Sequence, residues 1–211
     1  MLTLTNPWSL TTVRHGETDY NKENRYAGTI DIPLNEAGRN DVSHAAARIR
    51  SMEFDVALVS PLRRATETAQ LLTEGRIEIV PSSYAQERNY GILQGCAYTD
   101  VEHLRPPIHF IKVGGDYHSL NPPQAETFDE LRARAEAFYE YIITHFMGQR
   151  ILVVSHGVFL QQFHGLLRGK DWIESLGTSV GNLELTTFHF EGQTVISEER
   201  VHLAKRKQSN F

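Results

Sequence analysis

Short runs rich in β-branched residues alternate along this chain with longer segments whose apolar residues recur every three or four positions. The runs Leu10–Val13, Asp55–Val59, Ile77–Val80 and Ile151–Val154 each stop at or near a glycine or proline. Such runs predict strands buried on both faces, as in a parallel sheet. Helical spacing is read from Asn35 through Val42, Ala45, Ala46 and Ile49, and from Leu62 through Ala69 and Leu72. The same period runs from Glu126 to Phe146, and again after Gly157 through Phe159, Leu160, Phe163 and Leu167. Leu183–Phe190 and Thr194–Arg200, separated by Glu191-Gly192-Gln193, predict a terminal hairpin. This order predicts an α/β fold, a three-layer α/β/α sandwich around a mainly parallel sheet. Its 211 residues fit one domain, residues 1–211.

Between Gly91 and Pro123 the pattern weakens. Tyr98–Leu104 reads as a short helix, after which Pro106-Pro107, Gly114-Gly115 and Pro122-Pro123 interrupt the chain. Residues 91–123 are therefore expected to form a lid-like insertion packed over a crevice.

Two of the strands end on a histidine–glycine step, in Arg14-His15-Gly16-Glu17-Thr18 and in Ser155-His156-Gly157. In an open α/β sheet the ligand crevice lies outside the carboxyl ends of the strands. Both imidazoles should face that crevice as paired catalytic histidines. A lone strand-end histidine is more often structural. Here an arginine precedes His15, and the following glycine permits close approach of a ligand to the backbone. Arg63-Arg64 opens the helix after another strand, where its guanidinium groups and the helix dipole favour an anion.

Composition narrows the partners. A formal charge of −5 and a pI near 6.1 give no support for nucleic-acid binding. Cys96 is the only cysteine, so no intrachain disulfide forms and a reducing compartment is expected. Met1–Pro7 lacks the basic and apolar blocks of a secretory signal, and no apolar run approaches membrane-spanning length. A soluble cytoplasmic protein with no membrane partner is the expectation, with Lys205-Arg206-Lys207 as a solvated tail. Among 10 histidines there is no His-x-x-x-His pair or Cys/His cluster, so no metal site is expected.

Four motifs occur in order: Arg14–Thr18, Ser60-Pro61-Leu62-Arg63-Arg64-Ala65-Thr66-Glu67-Thr68-Ala69, Glu87-Arg88-Asn89-Tyr90-Gly91-Ile92-Leu93-Gln94-Gly95 and Ser155–Gly157. Together they resemble the histidine phosphatase superfamily, in its cofactor-dependent phosphoglycerate mutase-like branch. Asn21, Gly28 and Asp31–Gly38 fit the same pattern. The resemblance implies that His15 accepts a phosphoryl group, with Arg14, Arg64 and a protonated or hydrogen-donating His156 around the phosphate. It implies Asn21 as a further donor and Glu87 as the general acid. Gly28, Arg88, Tyr90 and Gly157 complete the expected substrate contacts, while Arg63 reads as a solvated helix residue.

The resulting expectation is a metal-independent phosphomonoester hydrolase acting through a phosphohistidine on a small phosphorylated metabolite, without a cofactor. A mutase-type phosphoryl transferase is the alternative, and a non-catalytic phosphate-binding module the third class. Mutase members usually carry a longer insertion with paired arginines. Cys96–Pro123 offers only Arg105 and Lys112, and Thr29 stands where those members commonly have a tryptophan. Few positive charges disfavour a tight grip on a bisphosphate.

Overall fold

A computed structural model of the chain describes residues 7–203. The signal-type reading of Met1–Asn6 and the basic tail Lys205–Lys207 lie outside the described residues. In chain order the first half holds β1 (Trp8–Arg14), α1 (Asp19–Lys22), α2 (Glu36–Ile49), β2 (Val56–Val59), α3 (Arg63–Thr73) and β3 (Ile79–Pro81). Then come β4 (Phe110–Val113), β5 (Asp116–Ser119), α4 (Phe128–Phe146), β6 (Arg150–Ser155), α5 (Gly157–Leu167), α6 (Trp172–Ser175), β7 (Glu184–Glu191) and β8 (Thr194–His202). Among the described residues no helix is long and apolar enough to cross a membrane.

The main sheet has six strands in the order β3-β2-β6-β1-β7-β8. β3, β2, β6 and β1 run parallel, and the β7–β8 hairpin is added antiparallel to β1. The apolar strands have no polar face because both faces are covered. Ile151 and Val153 of β6 face one core with Val56 and Leu58 of β2, while Leu152 and Val154 face the other with Ala57 and Val59. The first core is completed by Leu131, Phe138 and Ile142 of α4 and by Phe159 and Phe163 of α5. The second is completed by Val42 and Ile49 of α2 and by Ala65, Ala69 and Leu72 of α3. Each fully buried side chain of this kind contributes roughly 1.5–3 kcal/mol of hydrophobic stabilisation. The expected three-layer architecture is the observed one.

Three local departures have simple causes. The third strand begins at Ile79 rather than Ile77 and includes Pro81, because it pairs with β2 only over Ala57–Val59. It lies at the sheet edge, where a proline's missing N–H is tolerated. The expected helix at Tyr98–Leu104 is a 3-10 segment over Tyr98–His103. Gly114-Gly115, read as an interruption, is the turn of the β4–β5 hairpin, with φ of 61° and 100°. Its two strands pair only with each other, so no neighbouring repeat marked them in the sequence.

His164 of α5 is buried against the sheet, with its Nε2 2.7 Å from Thr12 Oγ1. Burial, then Arg168 and Arg200, push its pKa down to about 3. A histidine held neutral in the fold takes up its proton only on unfolding. Its contribution is therefore complete above pH 6.5 and is lost as the pH falls towards 3. Urea unfolding of His164→Gln should lose less stability on acidification than the wild type, the difference approaching about 1.4 kcal/mol per pH unit once the pH is well below 6.5 and still above 3. Parallel pH profiles would show that His164 is protonated in the fold.

Candidate active site

β1 and β6 are adjacent and parallel, with Arg14 in register with Ser155. The residues that follow, His15 and His156, therefore leave the sheet side by side. The His15 amide donates to the Ser155 carbonyl at 3.0 Å, and the ring centroids are 5.1 Å apart. Histidines far apart in sequence meet because the strand order places their strands together. Gly16 and Gly38 let α2 press against the turn that follows. A Cβ on Gly16 would lie 2.7 Å from Val42 Cγ2, and one on Gly38 would lie 2.1 Å from the Glu17 carbonyl.

The His15 ring has one role available. Nδ1 lies 2.7 Å from the Gly16 carbonyl, which can only accept, so Nδ1 carries the proton. Nε2 keeps its lone pair and accepts from Arg64 Nε at 3.3 Å. Burial, followed by the charges of Arg64 and Arg14, lowers the His15 pKa well below 6.5, against the opposing pull of the Gly16 carbonyl. The imidazole is neutral near pH 7, with a nucleophilic nitrogen turned towards a guanidinium.

His156 obeys the same constraint in reverse. Arg64 Nε donates to its Nδ1 at 3.2 Å, so the ring proton sits on Nε2, 2.7 Å from Ser60 Oγ. Burial and then Arg64 hold its pKa well below 6.5, with His15 adding to the effect. His156 is thus uncharged near neutral pH, with its Nε2 proton directed at Ser60 Oγ. Arg64 is itself buried, donating Nη1 to the Ile30 carbonyl at 2.8 Å and Nη2 to the Gly28 carbonyl at 2.7 Å. Burial lowers its pKa to about 10, leaving it charged at neutral pH. Gly28 has φ +52°, and a Cβ there would stand 2.2 Å from Gln94 Oε1. Its part is to turn a carbonyl onto Arg64.

Arg14 crosses the start of α5. Its Nη1 donates to the Val180 carbonyl at 2.7 Å, while its buried Nε has no partner. Gly157 makes room: a Cβ there would lie 3.2 Å from Arg14 Cζ. The Asn21 Oδ1 accepts from the Thr18 amide and hydroxyl, capping α1 and leaving Nδ2 as its outward donor. Glu87 is fixed by backbone donors. Oε1 accepts from Arg88 N and Phe159 N at 2.8 and 3.0 Å, and Oε2 from Val158 N at 3.2 Å. The Val158 and Phe159 amides belong to the first turn of α5, so that helix start points at a carboxylate rather than at solvent.

Arg14, His15, Asn21, Gly28, Arg64, Glu87, Arg88, Tyr90 and Gly157 all line one cavity of about 890 Å³, with His156 directly behind Arg64. Residues from the 91–123 segment, among them Val101, Phe110, Tyr117 and His118, form part of its wall. Arg88 differs from its expected role as a plain substrate contact. It donates Nε to the Glu126 carbonyl and Nη1 to the Ser119 carbonyl, and lies 4.0 Å over the Phe128 ring. It ties the hairpin to the start of α4 and leaves only Nη2 unpartnered. Burial raises the Tyr90 pKa well above 10, so its phenol stays protonated. Arg63 is exposed and paired with Glu67, as a solvated helix residue should be.

Four supporting residues had no role assigned from sequence. Asn182 Nδ2 donates to the His15 carbonyl at 2.7 Å and lies 3.4 Å from Asn21 Oδ1. Ser60 anchors His156, Val180 supplies the carbonyl for Arg14, and Thr68 Oγ1 accepts from the Gly16 amide. Ser60 and Thr68 lie within a recognisable motif, whereas Asn182 and Val180 carry no local signal. Among the described residues no three His, Cys, Asp or Glu side chains gather to hold a metal ion.

Gly157→Ala should displace the Arg14 guanidinium without unfolding α5. Calorimetry should show inorganic phosphate binding weakened roughly ten- to hundredfold, the worth of one charge-assisted hydrogen bond. An unchanged affinity at equal thermal stability would mean that Arg14 makes no contact with the anion.

The chain is similar to several known proteins. Phosphoglycerate mutase-like protein 4 of Arabidopsis thaliana is 31% identical over 155 residues, covering 72% of this chain and 67% of its own. The uncharacterized phosphatase PhoE of Bacillus subtilis is 29% identical over 156 residues, covering 74% of this chain and 73% of its own. The structure of Bacillus stearothermophilus YhfR superposes with a TM-score of 0.79 at 27% identity, covering 89% of this chain and 94% of that one. The sequence pattern of the histidine phosphatase superfamily (branch 1) spans residues 10–200, and the chain belongs to that superfamily.

Proposed function

We propose that the protein hydrolyses small-molecule phosphate monoesters through a phosphohistidine on His15, needing no metal or other cofactor, in the cytoplasm. The observation that carries this reading is the His15 ring, with Nδ1 locked on a carbonyl and Nε2 unprotonated, accepting only from Arg64. A phosphate dianion is attracted by Arg14 and Arg64, whose charges add to the burial that keeps both histidines neutral. In the first step the Nε2 lone pair forms a bond to phosphorus as the ester P–O bond breaks. Glu87 gives its proton to the leaving oxygen. Its Oε2, held by a single 3.2 Å bond, is the oxygen best able to carry that proton. In the second step water attacks phosphorus, the P–N bond breaks, and the water proton returns to Glu87. Charge developing on the equatorial oxygens meets Arg14, Arg64, Asn21 and the His156 side of the pocket, the electrostatic stabilisation on which phosphoryl transfer depends.

Relatives include both mutase-like proteins and phosphatases. Hydrolysis is favoured over mutase chemistry by the cavity wall. Arg105 and Lys112, the two basic residues between Cys96 and Pro123, are both absent from the lining. Lys112 lies instead over the Tyr117 ring. A second phosphate would find little counter-charge there.

Turnover of p-nitrophenyl phosphate should persist in a chelator, and loss of activity there would sink the metal-free reading. His15→Ala should abolish both turnover and acid-labile phosphate labelling. Glu87→Gln should lower kcat by roughly 10²- to 10⁴-fold on an alkyl phosphate, and by less on p-nitrophenyl phosphate, whose leaving group needs little protonation. Equal losses on both esters would remove Glu87 as the acid. Isomerisation of primed 3-phosphoglycerate outpacing phosphate release would establish the mutase alternative.

A further inference from the structure

A buried carboxylate outside the cavity has no part in the chemistry above. Glu184, the first residue of β7, is only 3% exposed, yet it does not line the cavity. Its Oε1 is paired with Arg200. Its Oε2 lies 3.3 Å from Nε2 of His202, the residue opposite it in the β7–β8 ladder. A carboxylate is taken out of water only where such partners hold it, and a buried ion pair is by itself weak evidence of a stabilising role. The two partners explain how Glu184 is tolerated. What it holds is the turn before it.

Glu184 Oε2 accepts from the Gly181 amide at 3.1 Å, and the Glu184 amide donates to the Gly181 carbonyl at 3.1 Å. These reciprocal bonds close the turn Gly181-Asn182-Leu183-Glu184. Arg200 adds a bond from Nη2 to the Ser179 carbonyl, just ahead of the turn. The backbone held in this way is strained. Leu183 has a φ of 53°, in the left-handed region that favours glycine, although its side chain is buried in the second core. The strained segment spends its bonds on the phosphate end of β1. The Val180 carbonyl accepts from Arg14 Nη1 at 2.7 Å, the Leu183 amide donates to the Arg14 carbonyl at 3.0 Å, and Asn182 Nδ2 donates to the His15 carbonyl at 2.7 Å. Ser179 lines both the cavity and a shallow outer hollow shared with Gly181, Glu184, Arg200 and His202. Glu184 therefore grips this partition from the side away from the nucleophile.

We infer that Glu184 is a positioning residue for phosphate capture: from the outer side it holds the strained turn 181–184 against β1, and through that turn the Arg14 guanidinium and the His15 backbone. The inference rests on the phosphate-binding role given to Arg14 and His15 above, and its test separates the two. Calorimetry with inorganic phosphate, and kcat and KM on p-nitrophenyl phosphate, are compared for the wild type, Glu184→Ala, Glu184→Gln and Glu198→Gln. Glu184→Ala should bind phosphate about tenfold or more weakly, the order of loss expected when a charge-assisted donor is misplaced, with kcat falling as well as KM rising. The terminal amide of Glu184→Gln cannot accept from both Gly181 and Arg200, so this isosteric variant should lose affinity to a smaller extent. Glu198→Gln breaks the neighbouring β8 ion pair with Arg168 and should bind phosphate as the wild type does. A loss in either Glu184 variant that keeps its near-UV circular dichroism supports the assignment. Affinity unmoved in every folded Glu184 variant overturns it, whatever their melting temperatures, and so does an equal loss in Glu198→Gln. If the wild type binds phosphate but hydrolyses no ester, the phosphatase reading fails and the phosphate affinities alone decide the role of Glu184. A wild type that binds no phosphate overturns both.

Discussion

A charged guanidinium taken out of water must be held on every side, and Arg64 organises the site by meeting that demand. Its Nη1 and Nη2 are satisfied by the Ile30 and Gly28 carbonyls, which pins the long loop after β1 onto the start of α3. Its Nε is shared between His15 Nε2 and His156 Nδ1. One group thus selects the tautomer of His156, agrees with the one the Gly16 carbonyl sets on His15, and adds its charge to the burial that keeps both neutral. Removing one partner of a buried charge is far costlier than losing a surface ion pair. The loop, the helix and the two strand ends are therefore bound to one another through one buried charge.

The rest of the phosphate end is arranged so that few donors are spent on the protein itself. Arg14 uses Nη1 on Val180 and leaves its buried Nε without a partner. Asn21 commits its oxygen to the α1 cap and keeps its amide nitrogen. The first turn of α5, often an anion site in α/β proteins, is instead occupied by Glu87. That arrangement places a carboxyl group in the wall of the His15 cavity with its orientation fixed by backbone amides. Preorganisation of this kind limits the reorganisation needed when charge moves during transfer.

The opposite end of the cavity follows a different rule. Arg88 spends two of its nitrogens as a clamp between the β4–β5 hairpin and α4, so the segment most weakly patterned in sequence is fastened by a buried charge. The surface it holds is mixed in charge, since Glu102 and Asp116 line the cavity together with Arg25 and Arg88.

Much of this was readable locally. Buried parallel strands announce themselves as short β-branched runs, and helices by their period, because burial on two faces or on one stripe constrains every residue in the element. The strand-end histidines, Arg64 and Glu87 were legible for the same reason, since each sits at a fixed offset from such an element or in a recognisable motif. The β4–β5 hairpin was not legible, because its half-buried strands contribute little to either core and their pairing leaves no periodic apolar trace. The proton positions on His15 and His156 and the supporting parts of Asn182 and Val180 were decided only by the tertiary structure. Apart from the Gly16 carbonyl beside His15, these depend on which donor stands opposite which acceptor across 92 to 167 residues of chain, a relation that folding creates and no local pattern encodes.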